Sequence, residues 1–227
     1  MKDISIHNKL FDQWPEDYDR WFTTSIGLLV KKCESALLLD LLKPQPRERI
    51  LDAGCGTGVF TLDILFHGPR GIGVDISWPM LMRAREKAER FPFQIVQSDI
   101  LRLPFKEGVF DKAISVTAIE FIEDVKTAIE ELFRVTKRGG TIVVATLNSL
   151  SPWAERRKLK KDHPLFKGAI FRSPEELLSL ASMKGIVKTA IHFQKEDDPQ
   201  EALEIERKGR ERGENRGAFV AVRWEKP

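Results

Sequence analysis

An α/β fold, with a mostly parallel seven-stranded sheet and helices on both faces, is predicted by two features of this 227-residue chain. From about residue 47 onward, short apolar runs alternate with amphipathic stretches of helical period, the order that builds a parallel sheet. Residues 50–58, Ile-Leu-Asp-Ala-Gly-Cys-Gly-Thr-Gly, then join a strand to a helix through glycines at 54, 56 and 58. Strand ends followed by helix N-termini are where open α/β sheets bind nucleotides.

The elements follow in order. Phe11 to Phe22 is aromatic and acidic. Ile26 to Leu42 carries apolar residues at Ile26, Leu29, Val30, Cys33, Leu37 and Leu41, the period of a helix that packs on a sheet, and Pro44-Gln45-Pro46 ends it. Strands are expected at 49–53, 71–76, 93–98, 110–117, 141–147, 185–194 and 218–224. Ser77 suits an N-cap, with Pro79 in the first turn of a helix to about Arg90. Asp124 opens a helix that closes on Lys137-Arg138-Gly139-Gly140, cations and glycine where a C-terminus favours them. Ser173-Pro174-Glu175-Glu176 opens another, and residues 196–216 form a charged segment, partly helical or disordered. The chain divides into an N-terminal helical cap, 1–46, and a second domain, 47–227, with a basic cap insert at 149–172.

Composition narrows the class. Hydrophobic content of 42% and charged content of 31% are those of a globular protein. Lys and Arg total 37 against 34 Asp and Glu, a net charge of +3, which argues against a dedicated nucleic-acid binder. Two cysteines, Cys33 and Cys55, make neither a disulfide framework nor a zinc pattern, so no metal is expected and a reducing, cytoplasmic setting is. Met1 to Ser5 lacks the apolar core of a signal peptide, and no apolar run reaches membrane-spanning length.

The spacing of the glycine turn selects the nucleotide. The dinucleotide pattern G-x-G-x-x-G needs its third glycine five positions after the first, where this chain has Val59. Asp52, just before the turn, opposes a pyrophosphate by like charge and suits a cationic or zwitterionic ligand such as S-adenosylmethionine. A dinucleotide-dependent oxidoreductase is disfavoured on both counts. The segment resembles motif I of the class I S-adenosylmethionine-dependent methyltransferases. Leu103-Pro104-Phe105 to Val109-Phe110-Asp111 resembles the LPF…FD signature of their type 11 subgroup. Phe11-Asp12-Gln13-Trp14 to Tyr18-Asp19-Arg20-Trp21 is similar to the lead segment of quinone-type and other small-molecule methyltransferases, departing from it at Pro15-Glu16. The resemblance covers roughly residues 47–148 and implies a Rossmann-like sheet of seven strands with an antiparallel last strand.

Cofactor-binding candidates follow. Gly54, Cys55 and Gly56 present backbone N–H groups at the turn, with Cys55 as a small filler. Asp75 ends the second strand, 21 residues after Gly54, where an acid accepts both ribose hydroxyls; the alternative is a cap for the next helix. Asp99 follows the third strand, where the family's acid meets the adenine amine, and Ile100 suits the ring face. Ile76, Trp78 and Met80 form either an apolar slot for adenine or core. The resemblance places Tyr18 near the methionine carboxylate, or else in an aromatic helix on the sheet. Thr117 and Glu120 border the expected acceptor pocket, and Asp111 ties down the start of strand four.

No catalytic base is assigned. His67 falls at the far end of the sheet, His192 mid-strand, and His7 and His163 read as surface residues. The Asn/Asp-Pro-Pro-Tyr/Phe motif of base-directed amino-methyltransferases is absent after strand four. Arg156, Arg157, Lys158, Lys160, Lys161, Lys167 and Arg172, after Trp153, read as a solvated helix face or as a cap that recognises an acidic substrate, a phosphate or an anionic membrane surface, and Leu159, Leu165, Phe166, Ile170 and Phe171 suit a hydrophobic acceptor pocket. The expectation is a methyltransferase acting on a small-molecule acceptor. The alternatives are a non-catalytic cofactor-binding regulator or subunit and an RNA methyltransferase.

Overall fold

The computed structural model describes residues 11–159 and 168–227, apart from the side chains of Lys158 and Leu159. His7, His163 and the insert residues Lys160, Lys161, Leu165, Phe166 and Lys167 lie outside the described residues.

Helices α1 (Pro15–Trp21) and α2 (Ser25–Leu42) precede the sheet. The strands are β1 (Arg49–Ala53), β2 (Arg70–Asp75), β3 (Phe93–Gln97), β4 (Phe110–Val116), β5 (Thr136–Leu147), β6 (Gly185–Ala190) and β7 (Phe219–Glu225). Between them run α3 (Val59–Leu65), α4 (Trp78–Lys87), α5 (Val125–Val135), α6 (Pro152–Leu159), α7 (Pro174–Leu178) and α8 (Pro199–Glu211). The strand order is β3-β2-β1-β4-β5-β7-β6. Strands β1 to β5 pair in parallel, and β7 runs antiparallel to both β5 and β6. Seven strands with an antiparallel last strand are what the sequence predicts.

Period-two alternation divides the core between the faces. Ile50, Ile114, Val143 and Phe219 point to the face covered by α2 and α3, with Val30, Leu37, Leu38 and Ile64. Their neighbours Leu51, Ala113, Ile142 and Val220 point to the other, against Ala128, Ile129 and Leu132 of α5 and Leu177 of α7. The order reverses beside β1: the chain leaves β3 at one edge and returns on the far side of β1 as β4. A crevice therefore opens at the carboxyl ends of β1 and β4, where the glycine turn and Thr117 lie.

Several boundaries differ from the sequence reading. Lys137-Arg138-Gly139-Gly140 does not close the preceding helix. That helix ends at Val135, and Thr136 is already extended. The register jumps from Phe110↔Thr136 to Lys112↔Thr141, so residues 137–140 form a bulge opposite Asp111. The bulge carries out the Asp111 tie-down: the Arg49 N–H donates to Asp111 Oδ2 at 2.8 Å, and Lys137 Nζ pairs with Oδ1. Helix α4 stops at Lys87, three residues short of Arg90. The charged segment forms α8, started by Asp198 accepting from the Gln200 N–H at 2.9 Å and laced by Arg207 with Glu204 and Glu211.

His192 is not mid-strand. Strand β6 ends at Ala190 because Ile191 turns to φ 65°. His192 Nδ1 then meets Glu206 Oε2 of α8 at 2.9 Å, a structural pair joining α8 to the sheet. His67 is exposed just before β2, at the opposite end of the sheet from the glycine turn.

Candidate functional site

The glycine turn is folded back onto β2. The N–H groups of Gly54 and Cys55 both donate to the Val74 carbonyl, at 2.7 and 3.0 Å. Gly54 and Gly56 take φ of 77° and 52°, a region costly for any residue with a Cβ. A Cβ on Gly54 would lie 2.4 Å from the Ala118 Cβ, in the loop after β4; a Cβ on Gly56 would meet no heavy atom within 4 Å. The first glycine lets two loops touch, and the second leaves open space above the turn.

Asp75 is oriented before any ligand arrives. Its Oδ2 accepts from the Gly56 N–H at 2.8 Å and its Oδ1 from the Ser77 N–H at 2.9 Å. Burial raises its pKa, opposed by these amides. Ser77 itself caps α4, so Asp75 is not needed as that cap. Asp52 turns towards α3, where Thr61 Oγ1 donates to it at 2.6 Å. Burial pushes its carboxyl up to about 7, against that bond. Asp99 accepts from the Leu101 N–H at 2.9 Å, starting the short 3-10 turn Ile100–Arg102. Ile76 is half-buried, Met80 and Ile100 are buried, and Trp78 is 47% exposed, so these apolar candidates do not share one environment. Cys55 packs its Sγ over Gly73, and burial raises its thiol well above the ordinary value, which removes it as a nucleophile.

Thr117 has φ 47°, a left-handed conformation unusual for a β-branched residue, held by its N–H donating to the Ala145 carbonyl at 2.9 Å. Its side chain lies beside the Tyr18 hydroxyl, and the Tyr18 ring packs edge-on to Phe22 with centroids 5.3 Å apart. Burial raises the Tyr18 pKa and outweighs the lowering by Thr117, so its hydroxyl keeps its proton.

Helix α1 is strapped across this crevice by two acids to which the sequence reading gave no role. Asp19 accepts from Thr57 Oγ1 in the turn at 2.7 Å, from Lys87 Nζ at 2.7 Å and from Arg83 Nε at 3.0 Å. Burial raises its pKa, but these donors outweigh burial and hold it below the usual carboxylate value. Asp12 accepts from Ser77 Oγ at 2.6 Å. A signal was present: Asp12 and Asp19 are seven residues apart, and Arg83 and Lys87 share one face of α4.

Beyond Tyr18 and Thr117 opens a cavity of about 730 Å³, walled by Trp14, Tyr18, Trp21, Phe60, Phe121 and Trp153. Thr117 and Glu120 both line it, as the sequence places them. So does Glu34 of α2, which the sequence reading missed although it sits among Val30, Cys33 and Leu37 on the buried face of that helix. The insert is not simply a solvated basic face. Arg157 turns into the cavity over the Trp153 and Phe171 rings, 5.8 and 5.9 Å from their centroids. Arg172 is 7% exposed and donates to the Ile119 carbonyl at 3.0 Å. Arg156 does face outward, to Glu196.

Burial raises Glu34 to about 8, Glu120 to about 7 and Asp52 to about 7. Each binds a proton more tightly when folded, so its stabilising contribution is full below the unfolded value near 4 and is lost as pH rises through the folded value. The thermal midpoint is therefore expected to fall from pH 6 to pH 8.5, measured by scanning calorimetry without ligand. A midpoint that is flat or rising over that window contradicts the assignment. Among the described residues no group of three or more His, Cys, Asp or Glu could hold a metal ion.

Comparison with known proteins agrees with this geometry. Residues 51–144 match the family described as "Methyltransferase domain". An uncharacterized protein of Methanocaldococcus jannaschii is 31% identical over 220 residues, covering 96% of this chain and 98% of that one. A malonyl-[acyl-carrier protein] O-methyltransferase of Erwinia pyrifoliae is 31% identical, with 68% of each chain covered. The match spans only about half of several other curated relatives, 55% of one and 47% of another. Among solved structures, a Thermotoga maritima protein described as an S-adenosylmethionine-dependent methyltransferase, possible histamine N-methyltransferase, superposes with a TM-score of 0.73 at 26% identity, covering 97% of this chain and 100% of that one.

Proposed function

The chain belongs to the S-adenosylmethionine-dependent methyltransferases, and from that premise we propose that it methylates a small-molecule acceptor held in the cavity beyond Tyr18 and Thr117. The observation that carries this reading is adjacency: Gly54 of the turn packs against Ala118, the neighbour in sequence of Thr117, and Thr117 lines an apolar-walled cavity. About 730 Å³ suits a small organic molecule.

The residues present fit the cofactor. Gly56 leaves room above the turn, and Asp75 is aimed by two amides. Gly54, Cys55, Gly56 and Asp75 would hold the nucleoside with Asp99, Ile76, Ile100 and Met80, while Tyr18, Asp52 and Thr117 complete the set. When bound, S-adenosylmethionine supplies a methyl group activated by a sulfonium. The protein's part is alignment and exclusion of water: Tyr18 and Thr117 shape the passage, and the aromatic walls keep the cavity apolar. Asp19 holds α1 over the turn, so Asp19→Ala is expected to weaken binding of S-adenosylhomocysteine by about tenfold through a looser strap. Titration calorimetry measures this, and an unchanged affinity removes the strap from the site.

The test of the reading is binding followed by turnover. S-adenosylmethionine should bind far more tightly than NAD, and a panel of small metabolites should include one that drives formation of S-adenosylhomocysteine. A folded protein that binds no S-adenosylmethionine ends the proposal; binding without turnover on any acceptor favours a regulator or subunit. Support for an RNA acceptor is reduced by the inward turn of Arg157 and Arg172, and RNA binding with a steep salt dependence would restore it. No helix among the described residues is long and apolar enough to cross a membrane, and we place the protein in the cytoplasm on its free cysteines, Cys33 and Cys55.

A further inference from the structure

The cavity presents acceptor oxygens that the protein leaves without donors. Glu34 is 4% exposed and lines the space, and among the described residues no side chain or amide hydrogen-bonds its carboxylate. Glu120, 1% exposed, accepts at Oε1 from the Leu147 N–H at 3.1 Å; burial raises its pKa, and the Thr146 hydroxyl beside it lowers it without making a hydrogen bond of full geometry to Oε2. Buried carboxylates are costly unless something donates to them. Other elements bring charge to the same space. Arg157 of α6 acts on both carboxylates, Arg172 acts on Glu120 while its Nη1 goes to backbone carbonyls, and Asp17, Arg156, Lys195 and Glu196 stand at the rim. Burial of Glu34 and Glu120 outweighs the two guanidinium groups, and both carboxyls stay raised.

A ligand that completes this site brings several donors and a positive charge. An ammonium has three N–H donors, whereas a hydroxyl has one. The aromatic walls add attraction for a cation and none for a neutral alcohol.

Resting on the small-acceptor reading above, we infer that the acceptor is an amine with an apolar ring or chain, seated on Glu34 as an ammonium–carboxylate pair with Glu120 as the second wall. For transfer the ammonium proton passes to the Glu34 carboxylate, and the freed nitrogen lone pair takes the methyl group as the sulfonium leaves as a thioether. Glu34 is then the residue that sets specificity.

The test is titration calorimetry of the full chain saturated with S-adenosylhomocysteine, so that the cofactor's own ammonium cannot be what the carboxylates bind. The probes are matched pairs: 2-phenylethylamine with 2-phenylethanol, and tryptamine with tryptophol. In at least one pair the amine should bind about tenfold or more tightly than its alcohol. Glu34→Gln should bring that pair within about twofold, and Glu34→Asp should restore part of the preference. Burial holds the Glu34 carboxyl protonated at pH 7 without ligand, so Glu34→Gln replaces one neutral group by another and its thermal midpoint at that pH should hold. Equal binding of amine and alcohol in both pairs overturns the inference, as does a preference that survives in Glu34→Gln. The wild-type comparison stands even if a variant fails to fold. Binding of S-adenosylhomocysteine with no amine preference removes this inference alone; failure to bind S-adenosylhomocysteine removes the small-acceptor reading beneath it.

Discussion

Asp75→Ala should lower the affinity for S-adenosylmethionine by about 100-fold or more, since hydrogen bonds to a charged acceptor contribute about 1.5–3 kcal/mol each and the proposed role supplies two. The carboxylate is already aimed, with Gly56 and Ser77 amides occupying one lone pair on each oxygen and leaving the others for a ribose. Preorganisation is why the loss should appear in binding rather than in folding. Removing a half-buried carboxylate whose pKa burial has raised relieves a desolvation cost, so the thermal midpoint of the variant should stay near that of the parent. Asp75→Asn keeps the shape but replaces one acceptor by a donor, and a smaller loss is expected. Titration calorimetry with S-adenosylmethionine decides the matter; a loss under about threefold, below what one such bond contributes, takes Asp75 out of the site.

Two alanine substitutions two positions apart should fail in different ways. In Gly54→Ala the new Cβ would stand 2.4 Å from the Ala118 Cβ in a backbone at φ 77°, so both the clash and the strain fall on the fold. Strain alone is about 1–3 kcal/mol. Each kcal/mol lowers the midpoint of a chain this size by about 2–4 °C. Gly56→Ala meets nothing within 4 Å, so only the strain at φ 52° remains and the fold should survive. Its methyl instead fills the space above the turn, and cofactor binding should drop by about 5- to 150-fold if that space is the cofactor's, because overpacking of a close-fitting site costs about 1–3 kcal/mol. Calorimetry for stability and titration for binding separate the two. If Gly56→Ala binds S-adenosylmethionine as well as the parent, the open side of the turn is not where the ligand lies.

The parts of this molecule that sequence reading reached are those built from neighbours along the chain. Gly54, Gly56 and Asp75 lie at ends of strands whose alternation is visible in the residues themselves, and Thr117 and Glu120 follow the fourth strand. Where reading failed, a longer-range contact had overridden a local signal. Lys137-Arg138-Gly139-Gly140 has the composition of a helix end, yet its pairing opposite Asp111 draws it into β5 as a bulge. Ile191 is apolar and β-branched, yet its φ of 65° ends β6 before His192, which Glu206 then takes from α8. Arg157 and Arg172 look like members of a solvated basic run until aromatic rings and backbone carbonyls draw them inward.

By itself, the sequence determined the fold class and the methyl donor, because a strand, a five-residue glycine turn and the acids that follow successive parallel strands are set by short-range spacing and by the two periods of the backbone. Only the tertiary structure decided what lines the cavity proposed for the acceptor. Glu34 lies on one helix, Glu120 after a strand more than eighty residues later, Arg157 on a third element and Tyr18 on a fourth, and no periodicity relates them. They share one cavity because α1, α2 and α6 pack over the same end of the sheet, and a carboxylate's surroundings are set by that packing rather than by its neighbours in the chain.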